Sequence, residues 1–186
     1  MLARLEPHTS LLLVVDAQEK LAAAMPEGAL DALVRNTCIL LEAARILGVP
    51  VIATEQYRKG LGKTLASIGE KLAAHAATPI EKLDFSALDD ARVAEAIAAA
   101  HPRAVIVTGM EAHVCVFQTA RDLAARGYAT YVVDDAVASR KEANRIAGLG
   151  LAERAGATRT VTETVVFDWI RRAEGESFKA ISKLVR

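Results

Sequence analysis

No stretch of this 186-residue chain is apolar for long enough to cross a bilayer: the run over residues 11–15 stops at Asp16, whereas a spanning helix needs about 20 apolar residues. Cysteine is scarce, with only Cys38 and Cys115, too few and too far apart for a disulfide framework. Neither sign of charge is in excess, 23 basic residues standing against 23 acidic ones. That balance leaves no electrostatic footprint for nucleic acid and no polybasic patch for a membrane surface. A small-molecule partner is therefore expected. No Pro-, Gly- or Ser-rich linker and no internal repeat divides the sequence, so one domain over residues 1–186 is expected. Residues 1–7 carry neither the basic n-region nor the apolar h-region of a secretory signal. The expectation is a cytoplasmic protein with reduced thiols.

What the sequence does have is alternation. Short aliphatic and β-branched runs at 11–16, 51–54, 78–81, 105–108, 130–133 and 160–162 predict strands. Alanine-rich stretches of helical period at 30–47, 63–75, 91–100, 114–126 and 142–155 predict the helices between them, with further helix over 165–172 and 177–184. Gly48, Gly127 and Gly156 mark three of the helix ends. The pattern is that of repeated βα units, a three-layer α/β sandwich around a six-stranded, mostly parallel sheet.

In such a sheet the loops after the strands form the ligand crevice, and three ionisable residues fall there. Asp16 closes the first strand, Lys82 follows the third, and Cys115 stands where the fourth run breaks at Gly109 and a helical pattern begins. At a helix start the dipole favours thiolate, which makes Cys115 a candidate nucleophile. Each residue also has a plainer reading: Asp16 as a cap, Lys82 as a solvated surface lysine, Cys115 as a small buried apolar group. Together they would supply a base, a cation that holds that base and lowers the thiol pKa, and a nucleophile.

Three blocks carry a resemblance: Val14-Val15-Asp16-Ala17-Gln18, then Glu81-Lys82-Leu83-Asp84-Phe85, then Val107-Thr108-Gly109-Met110-Glu111-Ala112-His113-Val114-Cys115-Val116-Phe117-Gln118-Thr119-Ala120. With them nearly the whole chain resembles the isochorismatase-like cysteine hydrolases, a family that includes nicotinamidases and N-carbamoylsarcosine amidases. The resemblance implies a Rossmann-like, isochorismatase-type fold and a catalytic Asp16, Lys82 and Cys115 triad. It also implies a cis peptide between Met110 and Glu111 and an oxyanion hole made by the backbone N–H groups of Glu111 and Cys115. The implied activity is cleavage of an amide-type C–N bond through a thioester on Cys115. Relatives that hydrolyse the isochorismate vinyl ether lack the cysteine, so its presence here favours amide chemistry. Vinyl-ether hydrolysis and a catalytically degenerate ligand-binding or scaffold protein are the alternatives.

The match thins after the second strand. Nicotinamidases carry an aspartate and histidines there that hold a divalent metal, but residues 54–63 of this chain contain no histidine. No metal and no cofactor are expected, and the segment looks more like that of isochorismatase-domain hydrolases outside the nicotinamidase branch. Gln18, Gln56, Tyr57 and His113 are the substrate-binding candidates. For Gln56 and Tyr57 a solvent-facing turn competes with that reading, and for His113 a loop residue with a backbone partner does. His8, His75 and His101 show no ligand spacing, Cys38 sits among apolar neighbours at helical period, and Trp169 reads as a helix-face core residue. Homo-oligomers are common in the family, and a homo-oligomer is expected.

Overall fold

The computed structural model describes residues 4–185; Met1–Ala3 of the N-terminal stretch, and Arg186, lie outside the described residues. Strand β1 (Ser10–Val15) is buried at every position, which is what a continuous apolar run permits in a sheet covered on both faces. Its side chains alternate between two cores, Leu12 and Val14 entering one, Leu11, Leu13 and Val15 the other. Around it lie β2 (Val51–Gln56), β3 (Ile80–Lys82), β4 (Ala104–Met110), β5 (Ala129–Ala138) and β6 (Thr158–Thr160). They form one six-stranded sheet in the order β3-β2-β1-β4-β5-β6, every neighbouring pair parallel.

The helices are α1 (Glu19–Ala22), α2 (Glu27–Leu47), α3 (Arg58–Leu61), α4 (Ala66–Ala74), α5 (Ala91–Ala99), α6 (Phe117–Ala125), α7 (Glu142–Arg154), α8 (Thr162–Ile170) and α9 (Gly175–Ile181). Helix α2 buries Leu33, Thr37, Leu40, Leu41 and Ala44, spaced to make one stripe at 3.6 residues per turn. Glu27 in its first turn and Arg45 in its last complement the dipole, and Gly48 follows in a left-handed conformation. Helices α2, α4, α8 and α9 cover one sheet face with Leu40, Ile68, Val165 and Ile181 among others. Helices α5, α6 and α7 cover the other with Ile97, Leu123 and Leu149. The result is the three-layer α/β sandwich expected from the alternation. Trp169 is buried in the first of these cores and donates its indole N–H to Ser10 Oγ at 3.0 Å.

Several boundaries differ from the periodic reading, each for a local reason. The apolar run of β5 ends at Asp134 and Asp135 in the sequence, yet the strand continues to Ala138. Both carboxylates are compensated: Asp134 by Arg145 and Arg159, Asp135 by the Thr162 N–H and hydroxyl, each at 2.9 Å. Strand β6 lies two residues earlier than expected because Thr162 opens α8. Residues 58–61, where no helix was expected, form the single helical turn α3.

Position in the sheet matters more than these shifts. From β1 the chain moves outward through β2 and β3, then returns to add β4, β5 and β6 on the opposite side. The carboxyl ends of β1 and β4 therefore flank the point where strand order reverses, the place where open α/β sheets bind ligands. Among the described residues no helix is long and apolar enough to cross a membrane.

Candidate active site

Asp16 follows β1 directly, with φ at +48°, a left-handed conformation that aspartate tolerates better than most residues. Its backbone N–H donates to Thr54 O at 3.2 Å. Its carboxylate is fully enclosed and held at both oxygens: Thr54 Oγ1 donates to Oδ1 at 2.7 Å, and Lys82 Nζ donates to Oδ2 at 2.7 Å.

Lys82 is the last residue of β3 rather than a residue beyond it, and it is 1% exposed. The solvated-surface reading is thereby corrected. Register explains the placement: β2 pairs Gln56 with Lys82, so the lysine reaches across the end of β2 toward Asp16. Its ammonium also meets Gln56 Oε1 at 2.7 Å, Asp84 O at 3.0 Å and Phe85 O at 3.2 Å. A buried charge survives only with such compensation.

Cys115 lies in a π-helical turn, Ala112–Val116, that leads into α6. The Glu111 carbonyl accepts the N–H groups of both Val114, at 3.0 Å, and Val116, at 3.2 Å. Single π-turns of this kind are frequent at functional sites. The Asp16 carboxylate raises the pKa of the thiol, and the Glu111 backbone N–H lowers it. The Met110–Glu111 peptide is cis.

The electrostatics correct one expectation. A helix start and a nearby lysine were expected to favour thiolate, but the Cys115 pKa is pushed up to about 12. Burial contributes most, the Asp16 charge and its hydrogen bond add to it, and Lys82 and the Glu111 N–H oppose it without prevailing. Desolvation acts on a thiolate directly, whereas the charge of Lys82 is already engaged by Asp16. The resting sulfur is a neutral thiol poised on a carboxylate.

Two glycines make the close approach possible. At Gly109 (φ +119°) a Cβ would lie 1.9 Å from the Val15 carbonyl oxygen, so β4 passes the end of β1 only without a side chain. At Gly148 in α7 a Cβ would lie 2.5 Å from Ala112 O and 2.6 Å from His113 Cα. Helix α7 thus rests directly on the π-turn. Sequence reasoning missed Gly148, although a glycine inside a helix costs about 1 kcal/mol relative to alanine and flags a packing reason.

The four substrate-binding candidates sit around this centre in different ways. Gln18 is fully buried and its amide is engaged in structure: Nε2 donates to Gln56 O at 3.0 Å and Gly62 O at 2.7 Å, and Oε1 accepts the Gln56 N–H at 2.7 Å. Gln56 braces Lys82 and donates Nε2 to Leu83 O at 2.6 Å. Tyr57 is 49% exposed and adjoins Lys82, its N–H donating to Lys82 O at 2.9 Å. His113 is partly buried, with Nδ1 3.1 Å from Ser139 Oγ and Nε2 3.3 Å from Asn144 Nδ2. It faces the β5–α7 loop through Ser139, and Asp16 is the carboxylate that acts on the thiol.

Glu111, whose side chain is 6% exposed, pairs with Arg140 at 2.6 Å. Leu83 and Phe85, exposed at 71% and 54%, flank the loop carbonyls that hold the lysine. A hollow of about 350 Å³ at the β5–β6 edge, lined by Tyr131, Asp134, Arg159 and Asp168 among others, is separate from the sulfur. Among the described residues no group of three or more His, Cys, Asp or Glu is placed to hold a metal ion. Cys38 is partly buried against the first core, and burial raises its pKa.

Comparison with known proteins fixes the family. The Isochorismatase domain matches residues 10–164. The chain belongs to the isochorismatase family. It is 36% identical, over 100% of its own length and 88% of the relative's, to the secreted isochorismatase effector Isc1 of Phytophthora sojae. Among solved structures it resembles the MAR1 ribonuclease from Caenorhabditis elegans, with 37% identity, a TM-score of 0.91, and 98% of this chain and 92% of that one covered. The fold is also that of the YcaC gene product from Escherichia coli, described as an octameric hydrolase of unknown specificity, at 21% identity and a TM-score of 0.91 over 99% of this chain and 91% of that one.

Proposed function

We propose that this isochorismatase-family protein is a one-domain cysteine hydrolase that cleaves a C–N bond of a small amide or ureido compound through a thioester on Cys115. The observation that carries the reading is the buried Asp16–Lys82 pair, Nζ 2.7 Å from Oδ2 at the enclosed end of the sheet, whose carboxylate acts on the buried Cys115 thiol.

A thiol with a pKa near 12 does not ionise by itself at neutral pH, so attack has to be coupled to proton transfer. As the sulfur bonds to the substrate carbonyl carbon, its proton passes to Asp16. The carbonyl oxygen gains the electron pair and is met by the N–H groups of Glu111 and Cys115. Collapse breaks the C–N bond, and Asp16 returns the proton to the leaving nitrogen. Water then gives a proton to Asp16 and adds to the thioester; the S–C bond breaks and the proton goes back to sulfur. Throughout, Lys82 keeps Asp16 oriented and offsets the negative charge that moves between carboxylate, sulfur and oxyanion.

Hydrolysis of the vinyl-ether type needs no nucleophile on the protein, and a degenerate binding protein needs no proton relay. RNA cleavage, the activity named for the C. elegans relative, gains no support from a chain with 23 positive and 23 negative residues. The test is ammonia release from a panel of small amides, ureido compounds and nicotinamide by the wild type and by Cys115→Ala. Turnover lost with the thiol supports the acyl-enzyme, ammonia release that survives Cys115→Ala rejects it, and no turnover of any compound favours the ether hydrolase or the binding protein.

We further propose a homo-oligomer, because Leu83 and Phe85 stand exposed and the E. coli relative is described as octameric. Sedimentation as a monomer at micromolar concentration would reject it. Both cysteines are free thiols, which accords with a reducing, cytoplasmic setting.

A further inference from the structure

The loop between β5 and α7, with the first turn of α7, grips the turn in front of Cys115 at two places. At the first, the Arg140 fork meets the Glu111 carboxylate: Nε lies 2.6 Å from Oε1, Nη2 3.2 Å from Oε2, and the Arg140 backbone N–H 3.3 Å from Oε1. At the second, Ser139 and Asn144 hold the two ring nitrogens of His113. An isolated surface ion pair contributes little. This one differs because its carboxylate is 6% exposed and takes three donors from one residue in the bidentate geometry that only a guanidinium supplies.

Glu111 has two ends. Its carboxylate meets Arg140 at 2.6 Å, with His113 Nε2 3.8 Å away, and its backbone N–H acts on the Cys115 sulfur. Fixing one end fixes the orientation of the other. An oxyanion donor has to sit within a few tenths of an ångström of its place to be effective.

We propose that Arg140 is a positioning residue for the hydrolase: by clamping the Glu111 carboxylate, it holds the Glu111 N–H where the oxyanion of acyl transfer develops. This rests on the acyl-transfer reading above. Arg140 acts through Glu111 and does not itself touch the reacting atoms.

Two reagents separate this role from a general effect on the fold or on the thiol. p-Nitrophenyl acetate acetylates the sulfur: an S–C bond forms through an oxyanion, p-nitrophenolate leaves, and the thiol proton passes to Asp16. Iodoacetamide alkylates the same sulfur by direct displacement of iodide, with the same loss of the thiol proton and no oxyanion. With the full-length protein, Arg140→Ala is expected to slow acetylation of Cys115 about tenfold or more, since outright removal of an oxyanion donor costs about 10²- to 10³-fold. Alkylation should stay within about twofold, because no oxyanion forms on that path. Arg140→Lys, which keeps the charge and loses the fork, should behave like Arg140→Ala, and it carries the test on the same two rates should Arg140→Ala unfold. In a Glu111→Ala background, Arg140→Ala should slow acetylation no further. Equal loss in both reactions, or full acetylation rates in Arg140→Lys, overturns the proposal. A wild type that yields no acetylated Cys115 overturns the acyl-transfer reading itself, and this inference with it.

Discussion

Lys82 Nζ lies 2.7 Å from Asp16 Oδ2, and neither side chain has any exposed surface. The two come from β3 and the end of β1, with β2 between them, so the pair ties three strands together beneath the sulfur. Replacing Lys82 by methionine keeps most of the volume and leaves the Asp16 charge buried with Thr54 as its remaining side-chain partner. The expected loss is about 3–5 kcal/mol of folding stability, read from urea midpoints at unchanged m. The double variant Lys82→Met with Asp16→Asn should regain part of it, because no uncompensated charge remains. A single variant as stable as the wild type would contradict this account of the pair.

The Asp16 charge and hydrogen bond both raise the Cys115 pKa, while Lys82 lowers it. Asp16→Asn should therefore shift the pH midpoint of iodoacetamide alkylation downward, giving a thiol that reacts faster near neutrality. The same variant should lose hydrolysis, since no group remains to carry the proton. Faster alkylation together with absent turnover identifies Asp16 as the proton carrier. An unmoved or raised midpoint would contradict it.

Alkaline stability follows from the same shift. The folded thiol has a pKa near 12, the unfolded one near 9.0. Below pH 9 both states hold the proton and the contribution is complete. Between pH 9 and 12 only the unfolded state releases it, so stability falls as pH rises, by up to about 4 kcal/mol. Cys115→Ser, which does not titrate in this range, should flatten that part of the stability curve. Parallel wild-type and variant curves from pH 9 to pH 11 would show that the thiol is not so perturbed.

Gly148→Ala tests the seat of the π-turn. The added Cβ would meet backbone atoms of Ala112 and His113 at 2.5–2.6 Å, and backbone cannot rotate aside as a flexible side chain can. Despite the better helix propensity of alanine, a net loss of roughly 1–3 kcal/mol is expected, with slower acetylation of Cys115. Gly150→Ala, two residues on and with open space around it, should be neutral or mildly stabilising.

The fold was legible because the strands that build the sheet interior are continuous apolar runs and the helices between them are periodic. Of the site, the sequence pointed to Asp16, Lys82 and Cys115, since each ends or follows a strand, and the structure pairs the first two. What it could not reveal depends on three-dimensional balance. Whether a cysteine near a helix start becomes thiolate turns on burial against charge, and here burial and Asp16 outweigh Lys82. The contact of Gly148 with the turn that carries Cys115, and the fork from Arg140 to Glu111, join segments about 30 residues apart that share no local pattern. Gln18 illustrates the reverse case: its neighbourhood to Asp16 suggested a ligand contact, yet its amide is consumed in binding β2 to the loop before α4.

The central claim is that Cys115 carries the acyl group. Intact mass and peptide mapping of the wild-type protein, quenched in acid during turnover of the best substrate from the amide panel, test it most directly. The account predicts a mass increase equal to the acyl fragment, located on Cys115, lost on standing in buffer and absent from Cys115→Ala. Turnover with no adduct on Cys115, and undiminished in Cys115→Ala, would contradict it.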